Sequence, residues 1–106
     1  MSPEAINGHA SPVFTLGSVV RISEAVQAWM VEDPETHRAA LMDALRAHTH
    51  GDWGVVSEHD SALMERCLAE DTEVMSVLYP GGMKVYVVTT SPLSAPETVV
   101  CTPMEY

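Results

Sequence analysis

The sequence predicts an α+β fold: about three N-terminal helices packed on a three-stranded antiparallel meander, with room for an extra short N-terminal strand. Two observations predict it. Apolar residues recur at helical spacing from Ser23 to about Asp71, then alternate from Glu73 to Thr102. The period changes once, so helices and strands form consecutive blocks rather than βαβ units. At 106 residues the chain suits one domain, read as residues 13–106 behind a flexible arm at residues 1–12.

The arm is assigned from Pro3, Gly8 and Pro12 among small polar neighbours. Val13–Ile22 is β-rich but broken by Gly17, as suits a short edge strand. Ser23 is placed as an N-cap with Glu24 in the first turn, and Ala25, Val26, Trp29 and Met30 follow at helical spacing. Asp33-Pro34 opens a second helix, with proline where its missing N–H costs nothing. His37, Leu41, Ala44, Leu45 and His48 share one face of it; Arg38, Asp43 and Arg46 fall elsewhere. Ser57-Glu58-His59-Asp60 resembles a capping box, from which a third helix turns Leu63, Met64, Cys67 and Leu68 toward the core and ends near Ala69–Asp71. Glu73–Tyr79, Lys84–Thr90 and Thr98–Thr102 read as strands, the first two joined by a Pro80-Gly81-Gly82 hairpin turn.

Between the second and third helices lies His48-Thr49-His50-Gly51-Asp52-Trp53-Gly54. Gly51 follows helical periodicity, the usual stop signal, and Gly54 supplies a second pivot. Trp53 is the large side chain between them and is expected to pin the corner to the core. Asp52 is expected to accept hydrogen bonds from exposed N–H groups of the turn.

Charge is the unusual global feature: fifteen acids against five bases give −10. Asp52, Glu58, Asp60, Glu65, Glu70, Asp71 and Glu73 face a single Arg66. The ordinary meaning of such a run is a solvated face; the sharper one is a surface for a basic partner. Direct nucleic-acid binding is disfavoured without a basic stripe. No apolar run approaches the roughly 20 residues of a membrane span, and the N-terminus lacks the pattern of a signal peptide. Cys67 and Cys101 follow no C-x-x-C spacing, which suits reduced thiols and a cytoplasmic setting.

An ordered set of motifs begins at His48-x-x-Gly51-Asp52-Trp53-Gly54, with Glu58 and Asp60 then opening a helix. Ser76 lies in a strand, Gly81-Gly82 in a turn and Lys84–Thr89 in an apolar strand; Thr98-Val99-Val100, Pro103 and Glu105-Tyr106 close the chain. With the Leu16-Gly17 step, this order resembles a family of small proteins of plasmids, integrative elements and phages, often labelled only "plasmid-related protein". The resemblance spans roughly residues 13–106 and implies a mobile-element setting in a bacterial host cell; it brings no established biochemical function. Tyr86 stands where that family usually has Trp, Met64 where it often has Asn, and Thr90–Pro96 lacks its acidic and Arg residues.

Other chemistry is weighed beside these readings. His37, His48, His50, His59 and Cys67 are residue types that bind zinc, but His48-x-His50 at a helix end splays its rings and no second ligand pair completes a tetrahedron, so no metal and no cofactor are expected. His48 is better explained as a buried side chain or a cap at the helix C-terminus. His48 with Asp52 or Asp60 could form an acid–base pair, yet no nucleophile accompanies it, so the chain is read as not an enzyme. The expected function is an acidic binding protein, an inhibitor of a bacterial defence complex of anti-CRISPR or anti-restriction type. It would occupy a basic nucleic-acid-binding surface through Glu58, Asp60, Glu65, Glu70, Asp71, Glu73, Glu105 and Tyr106. Antitoxin-like binding of a basic protein is the alternative, and a small enzyme using His48 and Asp52 the second. A homodimer is compatible with the sequence.

Overall fold

In the computed structural model, residues 8–106 are described. Their elements run β1 (Val20–Ile22), α1 (Glu24–Glu32), α2 (Pro34–Thr49), α3 (Glu58–Ala69), β2 (Val74–Leu78), β3 (Val85–Thr90) and β4 (Glu97–Cys101). The α+β class is as expected, and so are the three helices. The sheet is not a plain three-stranded meander. Four strands lie in the order β1-β4-β3-β2, with β1 parallel to β4 and the other pairs antiparallel.

The helix starts follow their caps. Ser23 Oγ accepts from Val26 N–H, Asp33 from Thr36 N–H and Ser57 Oγ from Asp60 N–H. The apolar stripes of α1 and α2 carry Val26, Trp29, Leu41 and Leu45 onto Val85, Val87 and Val100 of the sheet. A second cluster joins Phe14, Trp53, Leu68 and Val74, with Met64 and Cys67 packed against it. Leu63, expected in the core, is exposed instead. Trp29 stacks on His37 at 4.0 Å, and the His37 ring donates to the Trp29 carbonyl, tying α1 to α2 across their short joint.

One smaller expectation changes. Pro80–Gly82 forms a 3₁₀ turn within a longer β2–β3 connection rather than a tight hairpin. Residues 1–7 of the expected arm lie outside the described residues. Within residues 8–12, His9 N–H bonds to the His50 carbonyl at 2.6 Å.

The two faces of the sheet differ. Val74, Ser76, Val85, Val87, Thr89, Thr98 and Val100 are buried, and the packed clusters place the helices on their side. By strand alternation, Met75, Val77, Tyr86, Val88, Val99 and Cys101 take the other face. There the chain's last residues fold back: Tyr106 meets Tyr86 edge-on, with ring centres 5.4 Å apart.

Candidate functional site

The corner expected from the glycines is present. Helix α2 ends at Thr49, and His50 caps it, its ring Nδ1 donating to the Arg46 carbonyl at 2.7 Å. Gly51 and Gly54 take φ of 73° and 78°, the left-handed region open to glycine. Asp52 Oδ1 accepts from Gly54 N–H at 3.0 Å, which closes the turn. The chain then lies along the free edge of β2: Val77 N–H donates to the Trp53 carbonyl and Val55 N–H to the Val77 carbonyl, both at 2.9 Å. A Cβ at Gly54 would sit 2.0 Å from the Val77 oxygen, so only glycine permits this approach. Trp53 is 3 % exposed and pins the corner as expected.

His48 is not the C-terminal cap; that role falls to His50. His48 is fully buried between Phe14 and Trp53, which both meet its ring edge-to-face. Nδ1 lies 2.6 Å from Ser76 Oγ and Nε2 2.9 Å from Thr89 Oγ1. Thr89 reaches Thr98 at 2.7 Å, Thr98 donates to the Leu16 carbonyl at 2.8 Å, and Ser76 Oγ lies 3.1 Å from the Asp52 carbonyl oxygen. A polar seam therefore crosses the core from the N-terminal segment to the corner.

The seam is one proton short. Each hydroxyl brings one hydrogen and a neutral imidazole one, while the carbonyls only accept. Completing every link needs both ring nitrogens to donate, which means an imidazolium. A buried cation without a counter-ion costs several kcal/mol of desolvation, against about 1 kcal/mol for one hydrogen bond. Desolvation wins, and burial lowers the His48 pKa from 6.5 to about 3. The neutral ring leaves one link unformed. The longest, Ser76 to the Asp52 carbonyl, is the one to yield. Ser76 then donates to Nδ1, and His48 carries its hydrogen on Nε2 toward Thr89.

This geometry bears on acid–base chemistry. The His48 ring contacts two hydroxyls and is sealed from solvent, whereas the Asp52 carboxylate closes the turn at Gly54. The two side chains do not form a dyad. Among the described residues, no group of three His, Cys, Asp or Glu side chains is placed to hold a metal.

The residues expected to meet a partner do not form one patch. Glu58 and Glu65 line a cleft of about 380 Å³ beside the corner residues Gly51, Asp52, Trp53 and Gly54. Within it Glu65 accepts from Trp53 Nε1 at 2.9 Å and lies 3.4 Å from the His9 ring. Glu73, Glu105 and Tyr106 meet at the opposite side of the sheet, where Tyr106 donates to Glu73 at 2.9 Å. Asp60 and Glu70, at the two ends of α3, are exposed. Asp71 is engaged internally: its Oδ1 accepts from Leu93 and Ser94 N–H, and hydrogen bonds from Ser94 and Leu93 hold its pKa below the usual carboxylate range.

Glu105 has a structural task that its sequence neighbours do not announce. Oε1 accepts from Ser23 Oγ at 2.6 Å and from Thr102 N–H and Oγ1, each at 2.9 Å; Oε2 accepts from Ala25 N–H at 3.2 Å. The carboxylate thus clasps the tail to the N-terminus of α1, where the helix dipole favours negative charge. The hydrogen bonds, led by that from Ser23, lower its pKa from 4.5 to about 2. Ser23, Thr89 and Thr98 are the residues that sequence reasoning did not single out for these roles. The signal for the last two was a threonine at an inward position of an otherwise apolar strand.

Comparison with family models, with curated proteins and with solved structures finds no match to this chain.

Proposed function

We propose that this chain is a mobile-element-encoded acidic binding protein that inhibits a bacterial defence complex by occupying its basic nucleic-acid-binding surface. One observation carries the reading: its charge is not neutralised internally. Among the described residues the His9 ring lies 3.4 Å from Glu65, and none of the five Lys and Arg side chains is paired with a carboxylate. A field of −10 on so small a body attracts a basic surface and speeds encounter. The resemblance to mobile-element proteins supports a defence complex as the basic target. Glu58, Asp60 and Glu70 are exposed and serve as its outward charges. Glu65, Asp71 and Glu105 also hold the fold, so their contribution to a partner is mixed with stability.

The test is competition. DNA binding by CRISPR and restriction complexes of a host is measured with and without the protein, across ionic strength. Displacement of DNA that weakens steeply with salt is expected, because the Debye length shrinks to about 3 Å at 1 M. The combined Glu58→Gln, Asp60→Asn and Glu70→Gln variant should associate several-fold more slowly while remaining folded, with a loss of about 1–2 kcal/mol from the two first-turn charges of α3. No displacement from any complex, with tight capture of a small basic toxin, would transfer the proposal to antitoxin-like binding. Salt-independent displacement by the triple variant would refute charge mimicry.

A further inference from the structure

The sheet face away from the helices is apolar where it would ordinarily be wet. An antiparallel sheet with helices on one side usually alternates apolar inward with polar outward. Here Met75, Val88 and Val99 stand side by side in register across three strands, and Val77, Tyr86 and Cys101 form the next row. The tail covers part of this surface. Beside it remains a groove of about 460 Å³, floored by Val88, Val99 and Cys101 and walled by Tyr106. Val99 is 38 % and Tyr106 63 % exposed and offer most of its contact surface, while Val88 and Cys101 beneath are largely buried. Three carboxylates, Glu73, Glu97 and Glu105, stand around the groove and no Lys or Arg lines it. Arg21 lies in register beside Val99 on β1, outside the groove.

The charges choose the occupant. A second copy would bring −10 against −10 and set the same three carboxylates against each other. An anion would meet the same repulsion. An apolar side chain matches the floor, and cationic neighbours on either side of it match the rim. We propose that the groove receives an aliphatic side chain flanked by Lys or Arg on a partner protein, with Tyr106 as its movable wall. This rests on the reading of a basic partner and adds the apolar anchor that a purely electrostatic encounter lacks.

Two peptides of equal charge test it, Lys-Arg-Leu-Lys-Arg and Lys-Arg-Ser-Lys-Arg, both capped, titrated into the full ¹⁵N-labelled protein at low salt. The leucine peptide should bind about tenfold more tightly, the ratio expected when one aliphatic side chain leaves water. It should shift the amides of Val88, Val99 and Tyr106. Val99→Glu, at a solvent-facing position, should abolish that preference while keeping the dispersion of a folded spectrum. In Glu73→Gln/Glu97→Gln both peptides should weaken alike. Equal affinity of the two peptides, with shifts confined to α3 and the corner, would overturn the groove and leave the basic-partner reading standing. Failure of both peptides to bind would overturn both. A concentration-dependent dimer whose contacts cover Val88 and Val99 would assign the face to a second copy and refute the proposal.

Discussion

Acid should find one weak point in the core, His48. Its folded pKa of about 3 lies below the ordinary 6.5 because burial opposes the imidazolium. Above pH 6.5 the ring is neutral in folded and unfolded chains and adds no pH dependence. Below that value the unfolded chain takes up a proton that the folded chain refuses. Each pH unit then removes about 1.4 kcal/mol of stability. From the unfolded pKa down to pH 5 the loss is about 2 kcal/mol; it reaches about 5 kcal/mol near the folded pKa and stops there. A small domain has a total of roughly 5–15 kcal/mol, so the effect is a large share. His48→Gln removes the titration yet keeps a donor and an acceptor for Ser76 and Thr89, at a cost of about 1–2 kcal/mol at neutral pH. Urea melts of both proteins at pH 7.5 and pH 5 cancel the other titrating groups. Wild type should lose about 2 kcal/mol more than the variant. Equal losses, or an imidazole NMR titration of folded His48 near 6.5, would refute the reasoning.

Trp53→Ala should destabilise the protein by about 3–5 kcal/mol, the range for truncating a buried aromatic; a urea-melt difference under about 0.5 kcal/mol would contradict its burial. Gly54→Ala and Gly82→Ala both place a side chain at positive φ, but only the first drives a Cβ to 2.0 Å from a backbone oxygen. The second should cost about 1–2 kcal/mol, the ordinary left-handed penalty, and the first clearly more, with faster exchange of the Val55 and Val77 amides; equal costs would mean the edge contact is not tight. Glu105 titrates well below its ordinary value, so the clasp it provides is fully present above pH 4.5 and is lost as pH falls toward 2. Glu105→Ala should therefore speed amide exchange at Ala25 and Thr102 at neutral pH while leaving α2 protected, and unchanged exchange would show the clasp to be idle.

Local signals determined the helices, because caps and apolar stripes act within a few residues: Ser23, Asp33 and Ser57 cap where their spacing said. The glycine corner was legible for the same reason, since positive φ at Gly51 and Gly54 is a property of the residue itself. Pairings between distant residues were not. Three-residue β1 finds β4 across most of the chain, Val20 opposite Thr98, and no periodicity encodes that partner. The His48 seam draws on Leu16, Ser76, Thr89 and Thr98, each an unremarkable polar group until the fold brings them within hydrogen-bonding reach in a dry core. Charge shows the same division. The sequence by itself determined the net −10. Only the tertiary structure decided which carboxylates face water and which, like Glu105 and Asp71, are held by backbone N–H groups, because that depends on which donors the folded chain delivers to each.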